Sequence, residues 1–248
     1  MALAPWKIRV TADGAGTLDA VHTTIELVDR AANLCPNPWA WFHPDDRTGD
    51  TGDLITYHAD RSGNGRHLAV TDTGVVRIRI VDGERLLYSP AGFVAFGDQL
   101  SGGHDGVHPL DLESPPSLLS GTAWTFWAVV VDPTSSDTWF GMWPQSGEGS
   151  QGQMGTDFFG KLFGFDQSVG NLFSPSAMPS GRSTVAMRWD TVTDQAELLL
   201  DGTVVDTATG LGAGWALWGV ALAGATSDTG GLGEVIMWDQ WVGDECLP

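Results

Sequence analysis

The chain has 248 residues, 42% hydrophobic and only 17% charged, with 12 Trp and 10 Phe, a supply of apolar area that excludes a disordered polymer and supports one large core. Thirty-three Gly and 13 Pro without a fixed period exclude collagen and suit short strands joined by tight turns. Twelve Lys plus Arg against 31 Asp plus Glu give a formal charge of −19, which excludes nucleic acid and anionic membranes as partners held by bulk electrostatics.

Residues 1–30 lack a basic, apolar and small-residue signal pattern, and no apolar run approaches the roughly 18 residues of a membrane span. The expectation is a soluble chain without signal peptide or transmembrane segment. Trp6-Lys7-Ile8-Arg9-Val10 alternates cleanly, and 22–28 does so again after a Gly-containing turn, so the two form an opening strand pair. Cys35-Pro36-Asn37-Pro38 then breaks the chain, because two prolines deny ladder donors. That places an N-terminal arm at 1–38 and the main body at 39–248.

Within the body, strands are expected at 75–81, 92–96, 123–131, 184–189, 196–200, 203–207, 216–223 and 233–238. The run 124–131 is apolar on both faces and belongs in the middle of a sandwich, whereas 75–81 exposes one face. Asp201-Gly202 between two apolar runs is a hairpin signal of the primed-turn type. From 133 to 183 the texture changes. Trp139, Phe140, Trp143, Phe158, Phe159, Phe163, Phe165 and Phe173 are interleaved with Gly, Ser and Gln, and 146–155 reads as a long exposed loop. Trp139 and Trp143, with Phe158 and Phe159, are the candidate ligand-binding or subunit-contact residues, since aromatic faces stack on pyranose rings; core packing is the competing explanation.

Other clusters are weaker. His104 and His108 stand four apart, but Gly102, Gly103 and Pro109 surround them and no third ligand is evident, so a solvated loop is expected. Asp45, Asp46, Asp50 and Asp53 form an acidic loop without the spacing of a calcium-binding EF-hand. Cys35 and Cys246 stay free in a reducing compartment and pair if the C-terminal segment packs beside the start of the sandwich.

Three segments, in order, resemble the laminin-G-like/concanavalin A-like jelly-roll family of lectins and glucanases. Trp41-Phe42-His43-Pro44-Asp45-Asp46 followed by Asp60-Arg61-Ser62-Gly63-Asn64-Gly65 is similar to the family's opening strand, acidic loop and turn. In that turn Gly63 and Gly65 supply positive φ, and the Asp60 side chain can close the loop on backbone N–H groups. The run 124–131 resembles the central buried strand, and 196–205 with 233–239 the closing hairpin and strand. The resemblance covers residues 39–241 and implies an all-β, antiparallel two-sheet jelly-roll β-sandwich with a short N-terminal β arm. It also implies calcium at the sandwich rim as one alternative for the acidic loop; otherwise no cofactor is expected.

The family's glucanase branch carries Glu-x-Asp-x-x-Glu on one strand, and this chain has no such run. Glu197, Asp201 and Glu234 do not form it, so catalysis is not expected. The opening 6–27 resembles the start of tailed-phage structural proteins that carry such sandwiches. The expectation is a virion display protein, assembled in the host cytoplasm, whose partners are other virion proteins, further copies of itself and a cell-surface glycan. A bacterial carbohydrate-binding module is the alternative, and a glycoside hydrolase the third.

Overall fold

A computed structural model describes residues 7–13, 22–28, 35–69, 76–88, 111–112, 122–135, 137–144, 152–166, 170–211, 217–222 and 230–248. The strand expected at 92–96 and the pair His104 and His108 lie outside the described residues. Strands β1 (Lys7–Asp13) and β2 (His22–Val28) pair antiparallel, with Lys7 opposite Val28, in a separate two-stranded sheet.

The body is an antiparallel two-sheet jelly-roll β-sandwich. The front sheet runs in the order β13 (Gly170–Ala177), β12 (Lys161–Asp166), β11 (Gly152–Thr156), β10 (Thr138–Pro144), β17 (Leu217–Leu222), β8 (Asp111–Leu112), β5 (Leu68–Ala69) and β4 (Tyr57–His58). The back sheet runs β16 (Thr203–Ala208), β15 (Gln195–Leu200), β14 (Arg182–Asp190), β9 (Ala123–Val131), β18 (Gly231–Trp238), β7 (Glu84–Tyr88) and β6 (Arg77–Val81), and β3 (Ala40–Phe42) also pairs with β18.

Strand β9 lies centrally, between β14 and β18, because its sequence has no polar face to offer water. Trp124, Phe126, Ala128 and Val130 point into the core, where Phe126 stacks on Phe140 of β10 at 3.9 Å between centroids. Trp127 and Val129 point the other way and join Ala186, Leu199, Ile236 and Trp238 in a second apolar cluster on the outer side of the back sheet. The C-terminal tail covers that cluster with Val242, Cys246 and Leu247. Cys246 is disulfide-bonded to Cys35 across a Cα separation of 5.4 Å, so of the two alternatives open in the sequence the paired one is realised. Residues Cys35–Pro38 are further held to the body: Pro36 O accepts from Trp238 Nε1 and Pro38 O from Asn64 Nδ2.

Turn chemistry follows the residues. Asp201 and Gly202 take φ of 49° and 73°, a primed two-residue turn with Leu200 opposite Thr203. Asp82-Gly83 makes the equivalent turn between β6 and β7, with φ of 50° and 85°. Asp60 closes the Ser62–Gly65 turn onto β3: its Oδ1 accepts from the backbone N–H groups of Trp41 and Ser62, and its Oδ2 from the Ser62 hydroxyl and Arg66 N–H. Asn64 completes the closure by donating to the carbonyls of Pro38 and Trp39.

One expectation is corrected here. The loop read at 146–155 is shorter, because Gly152–Thr156 is strand β11, with Met154 buried in the core. Its glycines hide a strand whose alternation is carried by Gln153 and Met154 alone.

Candidate binding face

The outward side of β11–β13 is built by strict alternation. On β12, Leu162 and Gly164 face the core. A Cβ on Gly164 would lie 2.6 Å from Met187 Sδ of the back sheet, so the two sheets approach closely at this point. Phe163 between them therefore faces outward, half-buried. On β13, Leu172 and Ser174 are buried and Phe173 is exposed. Phe163 and Phe173 are direct cross-strand partners, with ring centroids 6.5 Å apart at 39°. Gln153 and Asn171, on the flanking strands, add amide groups to the neighbourhood. The N–H of Phe173 donates to Asp206 Oδ2 at 2.8 Å, which blunts the sheet edge.

At the end of this face the β11–β12 hairpin turns through Asp157-Phe158-Phe159-Gly160. Asp157 Oδ1 accepts from the N–H groups of Phe159 and Lys161, both at 2.8 Å, and Gly160 takes φ of 74°. Met178 N–H donates to Gly160 O and fixes the turn against the next connection. The turn thus presents Phe158 and Phe159 with 79% and 74% of their surface exposed, in edge-to-face contact at 5.6 Å. Two adjacent aromatic rings are held in water by a closed turn, at a cost to solubility.

The structure separates the aromatic candidates. Phe158 and Phe159 lie at the exposed tip. Trp139 does not: it is completely buried in the core, which corrects its place in an exposed platform. The register between β10 and β11 shifts between Thr138 and Phe140, and this irregularity lets Trp139 and Phe140, adjacent in sequence, both enter the core. The Trp143 backbone pairs with Gly219, and its side chain lies outside the described residues. Phe163 and Phe173 were visible in the sequence only as part of an aromatic texture; their pairing depends on register.

The acidic loop does not gather. Asp46 forms a close ion pair with Arg61, at 2.6 Å to Nε, and Asp53 Oδ2 accepts from Asp50 N–H at 2.8 Å. Among the described residues no group of three or more His, Cys, Asp or Glu side chains could hold a metal ion. Two of the carboxylates weighed for catalysis are also engaged: Glu197 Oε2 binds Arg188, and Glu234 Oε1 accepts from Trp41 Nε1. A depression of about 230 Å³ on the back sheet is lined by Trp127, Leu199, Asp201, Asp244 and Leu247, but Trp127 is almost fully buried there and offers no open ring face. No helix among the described residues is long and apolar enough to cross a membrane.

No protein-family model matches the chain, and no curated protein matches it by sequence. Solved structures do. A Trypanosoma rangeli sialidase in complex with 2,3-difluorosialic acid, as a covalent intermediate, has a TM-score of 0.55 at 9% identity over 84% of this chain and 32% of that one. The same sialidase with the inhibitor DANA gives 0.52 at 10% identity, over 84% and 31%. Domain 4 of AbnA, a GH43 extracellular arabinanase from Geobacillus stearothermophilus, in complex with arabinotriose, gives 0.49 at 12% identity, over 85% and 96%. The chain spans about a third of the length of the sialidase chains, and what it shares with them is the fold, a two-sheet jelly-roll β-sandwich.

Proposed function

We propose that the protein is a non-catalytic, lectin-like module that binds glycans on the outward face of β11–β13. The observation that carries this is the cross-strand pair Phe163 and Phe173, beside amide side chains and below the exposed Phe158-Phe159 tip. Phenyl faces take the apolar side of a pyranose, and amides satisfy its hydroxyls. The sialidase chains sharing the fold carry sialic acid derivatives, which supports a carbohydrate ligand here.

Binding to a glycan array tests it. The double variant Phe163→Ala/Phe173→Ala is expected to lose about tenfold or more in affinity, since each aromatic contact is worth about 0.5–1.5 kcal/mol. Undiminished binding by that variant removes the face from the site, and turnover of a bound polysaccharide removes the non-catalytic assignment.

The narrower proposal is display on a tailed-phage particle through the arm at 1–38. The separate two-stranded sheet β1–β2 supports an element that pairs apart from the sandwich. Purified particles should contain the chain by mass spectrometry and lose it when residues 1–28 are deleted; particles that retain the truncated chain refute docking by the arm.

A further inference from the structure

The basic residues of this chain are unevenly placed. Between residues 89 and 181 the only Lys or Arg is Lys161, and from 189 to 248 there is none. All eight strands of the front sheet together hold that single lysine. Apart from Arg9 on β1, the described arginines belong to the back sheet and the loops between 43 and 66. Arg77 donates to Gly52 O, Arg79 to Gly230 O and Arg85 to Gly49 O, while Arg188 pairs with Glu197.

An acidic sugar needs a counter-charge, and the effective one is a guanidinium fork that meets a carboxylate with two parallel hydrogen bonds. Among the described residues the β11–β13 face has no such fork. Its lone ammonium, on Lys161, follows Asp157 in the hairpin, with Asp166 at the other end of the same strand and Asp206 at the Phe173 backbone. An anion also approaches against a total charge of −19. Aromatic rings and the amides Gln153 and Asn171, by contrast, recognise a sugar through its C–H face and its hydroxyls, with no charge involved.

We propose that the β11–β13 face selects uncharged glycans and discriminates against sialylated and uronate-containing ones. This rests on the glycan-binding proposal and separates the chain's ligand class from that of the sialidase with which it shares a fold. The experiment is a glycan array of matched pairs, each neutral oligosaccharide beside its sialylated or carboxylated derivative, followed by calorimetry on the best pair. The expected result is that the bound members are neutral and that each acidic derivative binds about tenfold or more weakly. The gap should narrow as salt rises from 0.05 to about 0.5 M, because repulsion between exposed charges is screened. Acidic derivatives bound as well as or better than their neutral partners overturn the selectivity. An array with no bound glycan of either kind overturns the underlying glycan assignment instead.

Discussion

Replacement of Arg47 by methionine is expected to destabilise the fold by about 3–5 kcal/mol. Arg47 is almost completely buried, and among the described residues no carboxylate is bonded to it. Its guanidinium donates to the carbonyls of Arg85, Leu232 and Gly233 at 2.5–3.0 Å, and its Nε to His58 Nε2 at 2.9 Å. Those carbonyls gather where the β9–β18 ladder shifts register between Leu232 and Val235. There the arginine supplies donors that the neighbouring strand does not. Burial lowers its pKa to about 9, with Glu84, Glu234 and Asp46 opposing the shift, so the group stays charged at neutral pH.

A hydrophobic replacement leaves four acceptors unmet, His58 Nε2 and three carbonyls, and the carbonyls are backbone groups that no second mutation can remove. Lysine would not rescue the site, because a single ammonium cannot reproduce the planar fork. The check is urea unfolding: the midpoint should fall with the slope unchanged, and a loss below about 1 kcal/mol would falsify this role for Arg47. The same site predicts a pH dependence. His58 is buried, and burial first, then the Arg47 charge, hold its pKa well below 6.5. The unfolded chain takes up that proton near pH 6.5 and the folded chain does not. Stability therefore declines as pH falls below about 6.5, by up to roughly 1.4 kcal/mol per unit for this group. His58→Gln should flatten that part of the profile; an unaltered slope would assign it to other groups.

The parts of this fold that were legible in the sequence are those set by short-range rules. The run 124–131 could be placed in the middle of the sandwich because a strand with two apolar faces has nowhere else to go. Asp201-Gly202 was legible because two consecutive positive φ values demand such residues. Asp82-Gly83 carries the same signal between 77–81 and 84–88. Trp139 was misplaced because the alternation rule fails at a register shift, where two neighbouring residues both turn inward. The pairing of Phe163 with Phe173 depends on the β12–β13 register, which glycines and serines specify weakly. Arg47 was invisible for a different reason: its partners lie 11 to 186 residues away, and no local pattern announces them. The ion pair of Asp46 with Arg61 was equally hidden, because the position of Arg61 opposite Asp46 is set by the turn that Asp60 closes.

Loss of the Cys35–Cys246 bond is expected to cost about 2–5 kcal/mol and to lower the melting temperature by about 10 °C, with little change in the folded structure. The bond joins residues 211 apart, so it restricts nearly the whole length of the body in the unfolded ensemble. In the folded state the tail has other anchors. Arg188 donates to Val242 O and pairs with Asp244, while Thr125 Oγ1 donates to Gln240 O and accepts from Val242 N–H. Trp127, Ile236 and Trp238 should therefore stay covered when the sulfurs are separated. Cys35→Ser, Cys246→Ser and the double variant should melt alike, since each removes the same single constraint. Their tryptophan emission before the transition should match that of the parent protein. A red-shifted native emission would show that the tail has lifted from the back sheet, making the disulfide a clasp on the folded state and not a restraint on the unfolded one. An unchanged melting temperature would show that the anchors around Arg188 already limit the chain as much as the bond does.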